Sequence, residues 1–281
     1  MSKANLCSVG FIGCGNMGGA LARAALGAAL PGETAPRFLF ADPDAARASS
    51  LCAAAAAVGV TGEAVRTEEL ARAADVIFLG VKPQSLPGLA EEIAPLFSAR
   101  QQKPLLISMA AGQPIARIVS LFGDSPVIRI MPNLPASVGE GMILYTPGEG
   151  VSEEQLSLFR ALLAPAGLTE QLPEGQIDAA SAVSGCGPAF AALFVEALAD
   201  GGVLCGLPRA LALRCAEQTV KGTAAQLLDG GTHPAVLKDA VCSPGGTTVE
   251  GVRALEAGGF RAAAIEAVCA AYRRTLELGK K

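Results

Sequence analysis

One short run, Gly13-Cys14-Gly15-Asn16-Met17-Gly18, narrows the fold more than anything else in these 281 residues. It follows an apolar stretch that reads as a buried strand over 8–13, and it opens a run that reads as a helix over 18–30, stopped by Pro31-Gly32. A G-x-G-x-x-G between strand and helix is the phosphate turn of a dinucleotide-binding βαβ unit. Gly13 permits the tight turn, Gly15 lets backbone approach a pyrophosphate, and Gly18 lets the helix pack on the strand. Cys14, Asn16 and Met17 complete the cradle, whose N–H groups and helix dipole attract phosphate charge.

The rest of the first half fits such a unit. Residues 37–41, 76–81, 105–108 and 127–130 read as continuous apolar strands, with helices near 44–58, before 74, and over 115–122. Continuous apolar strands alternating with helices indicate a parallel sheet covered on both faces. From about 174 strand-like runs cease. Helices are predicted over 188–205, 208–229, 234–242, 247–257 and 259–277, punctuated by Gly206-Leu-Pro208, Gly230-Gly231 and Gly258-Gly259. The expected fold class is α/β: an N-terminal Rossmann-type, doubly wound, mostly parallel sheet followed by an all-helical C-terminal dimerisation domain. The expected domains are 1–173, binding the dinucleotide, and 174–281, binding substrate and a second copy.

Composition excludes several classes. A net charge of −4 lacks the basic stripe that nucleic acid requires. The uncharged run 179–195 contains Gly185, Gly187 and Pro188 and is shorter than the roughly 20 residues of a membrane span, so no membrane partner is expected. Lys3 and the apolar stretch after it mimic a secretory signal, but the glycine pattern explains them better. The eight cysteines are diffuse and form no C-x-x-C pair, so they read as small buried hydrophobes of a cytoplasmic protein. His233 is the only histidine, which removes His-based metal sites, and no metal is expected. The chain is 51% hydrophobic and only 17% charged, an excess that suggests surface hidden in an oligomer.

Four further groups carry chemistry. Asp42, at the end of the second strand, is placed to accept from the ribose hydroxyls of NADH and to repel the 2′-phosphate of NADPH; it equally suits a turn or a helix cap, and Arg47 and Arg66 stand ready as phosphate partners. Val81-Lys82-Pro83 ends the third apolar strand, where ligands of open α/β sheets lie, although Lys82 also suits a solvated loop. Pro132 and Pro135 stiffen a loop in which Asn133 can hold the nicotinamide carboxamide, or serve only the backbone. Ser243-Pro244-Gly245-Gly246-Thr247-Thr248 offers backbone N–H groups at a helix start to a substrate carboxylate. Thr247 with Glu250 fits a capping box, which leaves the Thr248 hydroxyl free for a ligand.

Together these residues resemble the pyrroline-5-carboxylate reductases. The segments are 10–18, Val81-Lys82-Pro83, Met131-Pro132-Asn133, Ser184-Gly185-Cys186-Gly187-Pro188-Ala189, 233–248 and Gly258-Gly259-Phe260-Arg261. The resemblance implies reduction of L-1-pyrroline-5-carboxylate to L-proline by NADPH or NADH, the last step of proline biosynthesis. It implies that Ser243, Gly245, Gly246, Thr247 and Thr248 bind substrate, with Thr248 as the catalytic group on the ring nitrogen. It also implies homodimers interlocked through the helical domain, gathered into a decamer of five dimers. Asp42 stands where many members carry a small or neutral polar residue, and Cys186 where Ser is usual. Two other readings remain at this stage: a related two-domain hydroxy-acid oxidoreductase, whose base falls to Lys221 or Lys238, and a non-catalytic dinucleotide sensor.

Overall fold

The computed structural model describes residues 8–30 and 36–279. The chain divides into two compact units, one running up to Gly185 and including the chain from Arg274 on, the other Cys186–Arg273.

The first unit is built on one eight-stranded sheet. Its strands are β1 (Ser8–Ile12), β2 (Arg37–Ala41), β3 (Gly62–Ala64), β4 (Val76–Leu79), β5 (Leu105–Ser108), β6 (Val127–Met131), β7 (Gly141–Pro147) and β8 (Gly167–Gln171). The order is β3-β2-β1-β4-β5-β6-β7-β8. The six strands β1 to β6 run parallel, β7 is antiparallel to β6, and β8 is parallel to β7. Chain order therefore reverses between β1 and β4, which opens a crevice at their carboxyl ends.

Alternate side chains fill the two faces of the sheet. Val9, Phe11, Phe38, Phe40, Val76 and Phe78 enter one core with α1 (Asn16–Leu26), α2 (Ala45–Ala57) and α6 (Glu153–Leu163). Leu39, Ile77, Leu79 and Leu106 enter the other with α3 (Thr67–Ala73), α4 (Leu86–Ser98) and α5 (Ile115–Phe122). Phe11 and Phe78 stack across β1 and β4 with ring centroids 4.3 Å apart, which fixes the register beneath the crevice.

Two expectations change here. The first helix begins at Asn16 rather than Gly18 and ends at Leu26, because the Gly27 N–H turns back onto the Ala24 carbonyl. Pro31-Gly32, expected to stop it, lie outside the described residues. Strands β3, β7 and β8 and helices α4 and α6 add to the elements read from sequence. The short helix α7 (Ile177–Ser184) packs against β7 within the first unit.

The second unit is helical: α8 (Gly187–Leu204), α9 (Arg209–Gly230), α10 (Pro234–Val241), α11 (Thr247–Ala257) and most of α12 (Phe260–Gly279). Left-handed glycines at Gly206, Gly231 and Gly259 turn the chain between them. Its buried apolar core is only Ala199, Ala212 and Ala216. Leu193, Leu204, Leu228 and Ile265 are exposed, Leu204 to 89%. By length and composition the helical stretch Glu174–Leu204, with a mean hydropathy of 1.6, is long and apolar enough to cross a membrane. That corrects the length argument made from 179–195, since the helix runs on through Glu196 and Asp200.

Candidate active site

The glycine run is the loop at the mouth of the crevice. Gly13 has φ +92°, and a methyl there would lie 2.7 Å from the Gly80 carbonyl carbon, so only glycine fits between β1 and β4. A methyl on Gly18 would overlap the Gly13 carbonyl oxygen, closer than any real contact. Gly15 differs, because a methyl there meets only Arg47 Nη1, at 3.6 Å. Gly15 caps α1 without any side-chain cap, so the first-turn N–H groups face open space. This cradle fits a pyrophosphate by shape, by donors and by dipole.

Asp42 ties the loop to the second strand. Its Oδ2 accepts from the Cys14 N–H at 2.7 Å, and its Oδ1 accepts from the Asp44 N–H at 2.9 Å. Burial first, and the Asp42 carboxylate second, push the Cys14 thiol up to about 12. The cradle thus carries a neutral thiol at physiological pH and adds no negative charge beside a phosphate. Cys14, Gly15, Asn16, Gly19, Ala20, Arg23, Arg47 and Ser137 line a pocket of about 390 Å³ along α1.

Val81, Lys82 and Pro83 follow β4 at the other side of the crevice. Lys82 is exposed and precedes a 3-10 turn over Pro83–Ser85, with no partner for its ammonium among the described residues. Asn133 lies at the end of β6 and is only 8% exposed. Its Nδ2 donates to the Ser184 carbonyl at 2.9 Å, and its Oδ1 accepts from the Met142 N–H at 2.9 Å. Both ends of the amide thus serve the backbone, the alternative its sequence context offered, through one of the two Nδ2 hydrogens and one of the two Oδ1 lone pairs. Arg129, 7% exposed at its side chain, makes a similar tie: it bonds Asp178 at 2.9 Å and Glu174 at 3.3 Å, and Glu174 also accepts from the Ile115 N–H at 2.7 Å. Asn133 and Arg129 together fasten the segment 174–184 to the sheet.

The Ser243–Thr248 loop belongs to the second unit. Gly245 has φ +67°, and the Gly246 N–H donates to the Ser243 carbonyl at 3.0 Å. The positive φ requires glycine at Gly245, whereas a methyl on Gly246 would meet Ser243 Oγ, the end of a side chain that can turn away. Gly246 rather than Thr247 caps α11, which corrects the capping-box expectation. Gly246 takes the extended cap conformation at no steric cost, and Glu250 pairs with Arg253 at 2.9 Å. The Thr247 and Thr248 hydroxyls are both exposed and have no partner among the described residues. His233 is occupied, with its Nδ1 accepting from the Ala235 N–H at 3.2 Å as the cap of α10. Lys238 lies 2.7 Å from Asp239, which raises its pKa and holds it as a cation, unfit as a base. Among the described residues no group of three metal-ligating side chains occurs.

Arg23, Gly19, Ala20 and Ser137 are the site neighbours that the linear motif did not disclose. For the first three a signal existed, because Asn16, Gly19, Ala20 and Arg23 recur at helical spacing along one face of α1.

An uncapped glycine cradle at the switch point of a parallel sheet, with a second glycine-led helix start on a separate helical unit, defines a two-part nicotinamide-dinucleotide oxidoreductase. Residues 174–278 match the family described as "Pyrroline-5-carboxylate reductase dimerisation", and 8–112 match "NADP oxidoreductase coenzyme F420-dependent". The chain is similar to the pyrroline-5-carboxylate reductase of Escherichia coli K12, 40% identical over 97% of this chain and 98% of that one. It therefore belongs to the pyrroline-5-carboxylate reductase family and is an NAD(P)H-dependent oxidoreductase. The Synechocystis reductase is 49% identical over 76% of this chain and 79% of its own. A solved Plasmodium falciparum pyrroline carboxylate reductase with NADP bound superposes with TM-score 0.80 at 30% identity, covering 97% of this chain and 99% of that one. Family membership removes the sensor and hydroxy-acid readings.

Proposed function

We propose that this chain reduces L-1-pyrroline-5-carboxylate to L-proline by holding NAD(P)H in 1–173 and the cyclic imine in 174–281. Gly13, Cys14, Gly15, Asn16, Met17 and Gly18 receive the pyrophosphate. Asp42 stands at the adenosine ribose, and Val81, Lys82 and Pro83 form the wall at the end of β4. Asn133 positions the loop after β6 and contributes through its backbone. Ser243, Gly245, Gly246 and Thr247 take the substrate carboxylate on the N–H groups that start α11, and the Thr248 hydroxyl meets the ring nitrogen. The observation that carries this reading is the pair of helix starts, α1 and α11, each led by glycine and left without a side-chain cap.

NAD(P)H, when bound, would supply the hydride that the imine carbon accepts (C2 of the pyrroline ring, which becomes C5 of proline) while its nitrogen gains a proton. The chain's own part is positioning, and holding two reactants in near-attack geometry contributes roughly 7–11 kcal/mol in favourable cases. Thr248 orients the nitrogen or relays a proton to it from water, since His233 is committed to its cap and Lys238 to Asp239.

The apolar stretch from Glu174 begins where the dimerisation match begins. A second copy covering it accounts for its exposure without a bilayer. The reading is accordingly a cytoplasmic homodimer through the helical half, with a decamer of five dimers as the next level and neither membrane nor nucleic acid as partner. Purified protein is expected to oxidise NADPH or NADH when given pyrroline-5-carboxylate, and to yield L-proline. A folded sample that turns over neither cofactor overturns the proposal.

A further inference from the structure

We propose that Arg47 is the residue that admits NADPH, receiving the 2′-phosphate of its adenosine ribose with Arg23 behind it. The inference rests on the reading of the glycine loop as the cofactor site.

Two opposed groups meet at this end of the crevice. Asp42 is fixed by the Cys14 and Asp44 N–H groups, so its charge cannot swing away from an incoming phosphate. Arg47, in the first turn of α2, is free to move. Among the described residues its side chain pairs with Asp44, at 3.3 Å, and both side chains are more than half exposed. Such a surface pair holds its members weakly and is readily exchanged. The guanidinium already lies over the cradle, near enough to Gly15 to be the one group a methyl there would meet.

Arg23 lines the same pocket, with its Nη2 donating to Ser50 Oγ at 2.9 Å on the exposed face of α2. Two guanidiniums thus border this pocket, Arg47 paired with Asp44, while Asp42 ends β2 with its carboxylate on the Cys14 N–H of the same loop. Arg66, which follows β3, is held by Glu69 through both Nε and Nη2. A planar fork accepts a terminal phosphate bidentately, which a point charge does not. Asp42 suits the free ribose hydroxyls of NADH, and Arg47 turning from Asp44 to the phosphate suits NADPH, so one site takes both cofactors.

The test compares adenosine 2′,5′-bisphosphate with 5′-AMP, which differ only in the 2′-phosphate. Dissociation constants are measured by calorimetry on the full chain, on Arg47→Ala and on Arg47→Lys, alongside kcat/KM with NADPH and NADH. Loss of a charge-assisted contact is expected to weaken the bisphosphate by about tenfold or more in Arg47→Ala, relative to 5′-AMP. Arg47→Lys should fall between, having charge without the fork, and the NADPH/NADH ratio of kcat/KM should drop in the same order. Equal weakening of both probes would reassign Arg47 to the 5′-phosphate and overturn the proposal, as would an unchanged bisphosphate constant. If the full chain binds neither probe and neither dinucleotide, the cofactor-site reading itself fails, an outcome separate from an unchanged ratio in a chain that binds both.

Discussion

At the residue scale, neighbours with the same side chain do different work. Thr247 and Thr248 follow one another at the start of α11, yet the cap belongs to Gly246, and neither hydroxyl is needed to close the helix. Thr248→Ala should therefore leave the melting temperature nearly unchanged. If its hydroxyl meets the imine nitrogen mostly in the transition state, kcat and kcat/KM fall together, by about five- to tenfold for one hydrogen bond. Unaltered steady-state constants in that variant would return Thr248 to the surface. Cys14 shows the reverse case. It sits in the phosphate cradle and invites a reactive role, but burial keeps it a thiol and its backbone N–H is what the Asp42 carboxylate uses.

At the element scale, what the sequence disclosed depended on how many faces an element buries. β1, β2, β4, β5 and β6 are covered on both faces and read as apolar runs, broken within β6 only by Arg129. β3 has three residues, and β8 is a half-exposed edge strand, so neither carries a periodic signal. The helices of the second unit were legible almost to the residue, because glycine and proline break them. Side-chain direction was not legible: Asn133 has the chemistry to bind a carboxamide, and only the fold shows its amide given to Ser184 and Met142. Asn133→Ala leaves those two backbone groups without a partner, at a cost of about 2–4 kcal/mol. Thermal melting should reveal a loss of several degrees, with KM for NAD(P)H changed less than the stability. A variant that melts like the parent but binds NAD(P)H poorly would restore Asn133 to direct contact with the cofactor.

At the scale of the whole molecule, the two units are unequal in what they can stabilise alone. The first buries phenylalanines, leucines and isoleucines on both sides of its sheet, whereas the second buries three alanines and leaves Leu193, Leu204, Leu228 and Ile265 in solvent. Large apolar side chains left exposed around so small a core suit a surface that associates. Light scattering at micromolar concentration should give at least twice the 28.3 kDa of one chain, and a monomeric mass there would contradict assembly through the helical half. The three-alanine core also bears on how the enzyme comes into being. The sheet unit leaves the ribosome first and can fold at once. Where a second copy covers the helices behind it, association adds to their stability by mass action. A cell that makes this chain sparingly would lose part of each batch to proteases before partners meet, and enzyme level would then rise more steeply than synthesis.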